Sequence, residues 1–214
     1  MLLTHVEKGP VDTIGYLLGD ERSGQGVVID VPIDGATPLL AAIRDHDLDV
    51  RHIILTHGHF DHVGDVRKLA DALAAEVIVG AGDAVMVENP SAHMLGMPFP
   101  VDGVTPHRLV SDGDTISIGA LELRVLHVPG HTPGHIALHV AEQNILFCGD
   151  VLFHGSIGRT DLPGGDYDTL MTSITEKLLR LPDDTLVYPG HGPHTSIGYE
   201  RNHNPFVLEY LDHF

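Results

Sequence analysis

Short apolar, β-branched runs alternate along the chain with stretches whose apolar residues recur at helical spacing, which predicts strands interleaved with helices. Arg51-His52-Ile53-Ile54-Leu55 reads as a buried strand. In the stretch after it, Val63 to Ala74, the apolar residues Val63, Val66, Leu69, Ala70 and Leu73 mark a helix. Leu121 to Val128, Asn144 to Cys148 and Thr185 to Tyr188 read as further strands. Thr37-Pro38 resembles an N-cap followed by proline at the first helical position, starting a helix that runs to about His46. Asp166 is the expected cap for the amphipathic stretch Leu170 to Leu181, and Tyr199 to Leu211 reads as a closing helix interrupted at Pro205. Residues 89 to 106, rich in proline and methionine, read as a long loop whose expected place is near the functional site. No linker or low-complexity stretch breaks the chain, so residues 1–214 are expected to form a single domain.

Composition adds limits. A hydrophobic content of 43% and a mean hydropathy of +0.08 exclude disorder as the main state. Lysine plus arginine number 12 against 30 acidic residues, a formal charge of −18. Without a basic stripe to neutralise phosphates, nucleic-acid binding is not expected. No signal peptide or 18-residue apolar run is visible, so the expected location is cytoplasmic, without membrane contact. One cysteine cannot close an internal disulfide, which agrees with that compartment. Cys148 lies on a predicted buried strand and is read as a small core residue.

The chemistry concentrates where predicted strands end. Directly after Leu55 comes Thr56-His57-Gly58-His59-Phe60-Asp61-His62, with four metal-binding side chains in the pattern H-x-H-x-D-H. His131 follows a strand through Pro129-Gly130, Asp150 follows one through Gly149, and His191 follows one through Pro189-Gly190. Glycine allows the sharp turn and the close backbone approach that such a site needs. A lone histidine after a strand is more often structural, and a short Pro-Gly-His match is weak by itself. Together, five histidines and two aspartates make the inventory for two metal ions that share one carboxylate. Imidazole and carboxylate suit zinc, iron or manganese. The other twelve histidines are read as structural or exposed, with His135 and His154 set apart because they flank the ligand loops.

Thr56 to Gly64 resembles the signature of the metallo-β-lactamase superfamily, and within it the glyoxalase II-like hydrolases. The short bacterial YcbL-type group of hydroxyacylglutathione hydrolases is similar over more specific stretches: Pro129 to His135, Gly155 to Asp161, Pro189 to Pro193 and Thr195 to Arg201. The resemblance implies an α/β fold, a four-layer αββα sandwich with the metals at one edge. It implies that His57, His59 and His131 hold one metal, that Asp61, His62 and His191 hold the other, and that Asp150 bridges them.

The chemistry expected of such a site is hydrolysis. A water between two metal ions loses a proton near neutral pH and becomes a bridging nucleophilic hydroxide. Asp61 and Asp150 are the expected catalytic carboxylates, since they would also accept hydrogen bonds from it. A thioester suits the site, because its thiolate leaving group, of pKa about 8.5, departs without a strong general acid. S-D-lactoylglutathione or a related hydroxyacyl thioester is the expected substrate, two divalent ions, zinc before iron or manganese, the cofactors, and a monomer or small homo-oligomer the assembly. The longer glyoxalase II enzymes carry a C-terminal extension with basic residues for glutathione, and no such stretch follows residue 211. Arg159 is therefore the expected cation for substrate binding. The alternatives are a persulfide dioxygenase with a single iron, which shares a Gly-Arg-Thr-Asp stretch like residues 158–161, a lactonase or β-lactamase of the same superfamily, and a non-enzymatic metal-binding module.

Overall fold

The computed structural model describes residues 1–90 and 100–212. Two six-stranded sheets face each other, with helices on both outer sides. The first sheet has the order β1 (Leu2–Lys8), β2 (Thr13–Asp20), β3 (Gln25–Ile29), β4 (Asp49–Leu55), β5 (Glu76–Gly80) and β6 (Arg108–Val110). Its β1–β2–β3 part is antiparallel, and β3 through β6 run parallel. The second sheet has the order β14 (Thr195–Ser196), β13 (Leu186–Pro189), β10 (Ile145–Gly149), β9 (Ile136–Val140), β8 (Leu121–His127) and β7 (Thr115–Ile118). Only β10 and β13 are parallel there. A small hairpin, β11 (Leu152–Phe153) and β12 (Ser156–Ile157), stands apart.

The two-residue period of a strand sorts the side chains into three cores. Ile54 points between the sheets while its neighbours Ile53 and Leu55 face the helices α1 (Ala36–Asp45) and α2 (Val66–Leu73). In β10, Phe147 fills the inter-sheet core, and Leu146 and Cys148 face α4 (Tyr167–Glu176) and the closing pair α5 (Ile197–His203) and α6 (Pro205–Leu211). Strands buried on both faces explain why their sequences read as continuous apolar runs rather than alternations. The short helix α3 (Ala84–Glu88) packs Val87 into the first helix-facing core.

The structure corrects several expected boundaries. Helix α1 begins at Ala36 with Gly35 at its N-cap, not at Thr37. The amide of Ala36 is satisfied by the Asp65 carboxylate at 3.2 Å, a cap supplied from 29 residues away. Helix α2 begins at Val66, because residues 61–65 form turns around the site; Val63 is still buried. Asp166 caps α4 as expected, its side chain accepting from the Thr169 amide at 2.8 Å, but the helix ends at Glu176 and a 3₁₀ turn, Leu178–Arg180, follows. The closing helix is interrupted at Pro205 as expected, but it starts at Ile197 rather than Tyr199; Asn204 caps its second part through the amides of Phe206 and Val207. Of the loop at residues 89 to 106, residues 91–99 lie outside the described residues, and with them the expectation of a place near the site. No helix among the described residues is long and apolar enough to cross a membrane.

Candidate metal centre

Strands β4, β10 and β13 deliver their carboxyl ends, and β8 its following loop, to one rim where the two sheets meet. All seven sequence-predicted donors converge there. His57, His59 and His131 form one cluster of ligand atoms, Asp61, His62 and His191 a second, and His57, His62 and Asp150 a third, each with its atoms within 4.8 Å of one another. Asp150 spans the groups: its Oδ1 lies 3.3 Å from His62 Nε2, and its Oδ2 lies 3.6 Å from His131 Nε2 and 3.4 Å from His191 Nε2. Asp61 Oδ2 lies 3.4 Å from His62 Nε2 and 3.2 Å from His191 Nε2.

Two glycines make this convergence possible. Gly149 has φ +48°, and a Cβ there would come 2.5 Å from Thr56 Oγ1 and 2.8 Å from the His135 ring. At Gly190 a Cβ would collide with Asp150 Oδ1 and sit 2.6 Å from His62 Cε1. A side chain at Gly190 would occupy the space of the donors Asp150 and His62, and one at Gly149 the space of Thr56 and His135, which pack behind them.

The imidazoles are oriented from behind. His131 Nδ1–H donates to the Arg159 carbonyl at 2.7 Å, and His191 Nδ1–H donates to the Val11 carbonyl at 3.0 Å. His62 Nδ1–H donates to Asp30 Oδ2 at 2.8 Å. Thr56 Oγ1 donates to the same carboxylate at 2.7 Å, which leaves a lone pair to accept from His57 Nδ1 at 3.1 Å. Each of these bonds turns an Nε2 lone pair toward the centre, as outer-shell partners do in metal sites. His59 presents Nδ1 instead, 3.1 Å from His57 Nε2.

Three buried atoms that face the centre, His62 Nε2, His131 Nε2 and Asp150 Oδ1, have no hydrogen-bond partner. Buried polar atoms left unpaired are costly, and a cation would satisfy all of these at once. The donor set is hard-to-borderline nitrogen and oxygen, with the one thiol, Cys148, turned into the core. The residues therefore fit divalent metal.

Electrostatics agree with that fit. Burial, reinforced by neighbouring imidazoles, holds His57 well below the ordinary histidine range and His59 down to about 3, so both offer free lone pairs at neutral pH. Burial also works against the charged forms of Asp61 and His191. Nearby His62 and His191 nevertheless hold Asp61 down to about 2, and pairing with Asp150 and Asp61 pushes His191 up to about 10. The three carboxylates around His62, namely Asp61, Asp150 and Asp30, overcome its burial and push it well up. In the metal-free protein, positive charge thus sits on the imidazoles that a cation would relieve of their protons.

Several supporting residues escaped the sequence reading. Asp30 is buried at the end of β3, and its strand-then-carboxylate context resembles that of Asp150. Thr13 Oγ1 donates to Asp61 Oδ2 at 2.8 Å from 48 residues away. Buried Asp83 accepts from the Gly58 amide at 3.0 Å, the Gly134 amide at 2.6 Å and Thr132 Oγ1 at 2.6 Å. It thereby ties the loop of His57 and His59 to the loop of His131. His135, set apart by its position, stacks on His57 at 4.7 Å and accepts the Asp150 amide at 3.1 Å. His154 faces the other way, stacked on Tyr199 at 4.8 Å. Arg159 reaches the rim, but its guanidinium makes a two-pronged pair with Asp161, both contacts at 2.7 Å.

Five of the donors, His59, Asp61, His131, Asp150 and His191, line a cavity of about 730 Å³. Phe60, Phe153, Ile157 and Leu162 give it apolar walls. No lysine or tyrosine lines it among the described residues.

Comparison with known proteins agrees with this geometry. The chain is similar to the hydroxyacylglutathione hydrolase GloC of Haemophilus influenzae, 41% identical over 193 residues that cover 88% of this chain and 89% of the relative. Among solved structures it is similar to the B3 metallo-beta-lactamase BLEG-1, with a TM-score of 0.90 and 36% identity over 96% of this chain and 99% of the other. TTHA1623, solved in a di-iron-bound form, matches with a TM-score of 0.83 and 40% identity over 95% of this chain and 99% of the other. ETHE1 from Myxococcus xanthus matches with a TM-score of 0.83 and 29% identity over 99% of this chain and 90% of the other. Residues 14–191 match the family description of the metallo-beta-lactamase superfamily, a span that holds every donor from His57 to His191. With its αββα layers and its histidine–aspartate rim, the chain belongs to the metallo-beta-lactamase superfamily.

Proposed function

We propose that this protein is a metal-dependent thioester hydrolase of the hydroxyacylglutathione hydrolase type, acting on S-D-lactoylglutathione or a related hydroxyacyl thioester. The observation that carries the reading is a seven-donor centre, partly lining an open cavity, with no dedicated proton donor beside it among the described residues. An amine leaving group would need such a donor; a thiolate of pKa about 8.5 does not. The GloC relative supports this reading over a β-lactamase.

His57, His59 and His131 would hold one ion, Asp61, His62 and His191 the other, with Asp150 between them. Zinc is the favoured metal, and the same donors accept iron or manganese. When bound, the ions supply a nucleophile at neutral pH and stabilise negative charge on the acyl oxygen. The chain's own residues do the rest. Asp61 and Asp150 are held ionised and accept hydrogen bonds from the attacking water. Thr13 occupies one lone pair of Asp61 and so fixes its direction. Phe60, Phe153, Ile157 and Leu162 exclude bulk water from the acyl group. Arg159 would reach a remote substrate carboxylate only by leaving Asp161. Residues 1–214 would work as one domain, in the cytoplasm, as a monomer or small homo-oligomer, without nucleic acid or membrane as partner.

The test is a thiol-release assay with S-D-lactoylglutathione beside an oxygen electrode with glutathione persulfide. Thiol release without oxygen uptake is the expected result. Oxygen uptake with no thioester cleavage would move the assignment to a dioxygenase.

A further inference from the structure

Glu200 is fully buried on α5, yet it has no cation partner among its contacts. Its Oε1 accepts from Thr195 Oγ1 at 2.5 Å, and its Oε2 accepts from Asn204 Nδ2 at 2.8 Å and from the Gly155 amide at 3.0 Å. The neighbouring Arg201 turns away, donating to the carbonyls of Leu179 and Leu181 and pairing with Asp183. A buried carboxylate held by neutral donors alone is expensive, so its position calls for a physical reason.

Gly155 supplies one. It is the turn of the β11–β12 hairpin, at φ +67°, and the hairpin's Phe153, Ser156 and Ile157 form one wall of the cavity. Three contacts from the closing helices grip this hairpin. Glu200 takes the turn amide, Asn204 Nδ2 donates to the Ser156 carbonyl at 2.9 Å, and Tyr199 stacks on His154. Phe153 in turn lies against the His191 ring, with centroids 6.3 Å apart. The hairpin's own ladder is only two residue pairs long, too short to hold its shape without such support.

We propose that Glu200 is a positioning residue that sets which acyl group the cavity accepts, by fixing the hairpin wall from behind. The proposal rests on the thioester hydrolase reading for its substrate. His131 and Asp150 are anchored separately from the hairpin. Gly158, where the chain leaves the hairpin, is locked by its amide on the Val151 carbonyl at 3.1 Å and packs against the Asp150 carbonyl. Loosening the hairpin therefore leaves His131 and Asp150 in place while the wall moves.

The test compares Glu200→Ala, Glu200→Gln and wild type, all metal-loaded, on S-D-lactoylglutathione and on the bulkier S-mandeloylglutathione, which share one thiol. Glu200→Ala is expected to change the ratio of the two KM values by about tenfold with kcat within about twofold. Amide exchange in residues 152–157 should quicken at least about tenfold, with metal content unchanged. Glu200→Gln, which keeps an oxygen for Gly155 and turns its amide to the Thr195 hydroxyl, should restore both. An unchanged KM ratio, unchanged exchange, a glutamine variant as impaired as alanine, or loss of metal would each overturn the proposal. Should Glu200→Ala fail to fold, Glu200→Asp keeps the buried charge on a shorter arm. Wild-type exchange and selectivity in that variant would overturn the proposal, and a partial change in both would support it. Exchange needs no substrate, so a wild-type protein that cleaves no thioester defeats the hydrolase reading while exchange still decides whether Glu200 grips the wall.

Discussion

His62 Nδ1 lies 2.8 Å from Asp30 Oδ2, on the side of the ring away from Asp61 and Asp150. That bond fixes which nitrogen of His62 faces the centre. Asp30 is itself held by the amide and hydroxyl of Thr56, at 2.8 and 2.7 Å. One buried carboxylate thus orients two imidazoles, His62 directly and His57 through Thr56. Asp30→Ala is expected to weaken metal binding by about 10- to 100-fold, as loss of an outer-shell partner does. Competition with a chromophoric chelator measures it; wild-type affinity would show that packing alone orients the rings.

Asp83 joins the two loops that carry His57, His59 and His131. It accepts three hydrogen bonds and donates none, so asparagine, with its two donors, cannot replace it. Asp83→Asn should cost about 2–4 kcal/mol of stability, from a buried donor set against donors. It should also weaken metal binding at the three-histidine cluster more than at the Asp61 cluster. Calorimetric unfolding and stepwise metal titration check the two parts, and an equal loss at both clusters would remove the special link to His131.

Asp150→Ala and Cys148→Ser separate two close neighbours. Asp150 lies between the donor groups, so its loss should remove metal and turnover together. Cys148 is fully buried among apolar side chains, and burial pushes its thiol up to about 12, so it is no nucleophile at neutral pH. Cys148→Ser should keep most turnover and lose about 1–3 kcal/mol of stability from a buried hydroxyl. Abolished turnover with metal and fold intact would overturn that reading.

Metal-free protein should lose stability as pH rises above neutrality, and metal loading should add more stability over the same range. Without metal, the raised His191 stabilises the fold fully below its unfolded value of 6.5, and that contribution is lost as pH rises through about 10. Asp61, held down to about 2, contributes fully above 3.8, and that contribution is lost as pH falls from 3.8 through about 2. The Tm of metal-free protein should therefore fall between pH 6.5 and 10. Metal competes with protons for the same nitrogens, so the gain in Tm on loading should grow over that range. Thermal scans with and without chelator test this, and a rising Tm for the metal-free form from pH 7 to 9 would refute it.

Arg159 and Asp161 form an exposed two-pronged pair at the cavity mouth. Asp161→Asn should free the guanidinium and lower KM for a thioester with a carboxylate on its thiol, leaving a neutral thioester unaffected. Arg159→Ala should raise KM more than it lowers kcat. Equal effects on charged and neutral thioesters would show that Arg159 does not bind substrate.

The sequence by itself brought out the seven candidate donors and their scaffold type. Residues 57–62 lie on one turn, so their spacing alone brings four donors together, and each later donor follows an apolar strand through a glycine. Such local patterns are legible because they depend on neighbours in the chain. The sequence also placed Cys148 in the core, since its strand is apolar throughout. Only the tertiary structure decided how the donors are held. Asp65 caps a helix 29 residues away, Thr13 reaches Asp61 across 48 residues, and Asp83 binds partners 25 residues back and 49 and 51 residues on. A carboxylate's hydrogen bonds to distant backbone amides leave no periodic trace in the chain. They exist only once two sheets have brought the ends of β4, β10 and β13 and the loop after β8 to one rim, where buried polar groups must find partners across the fold.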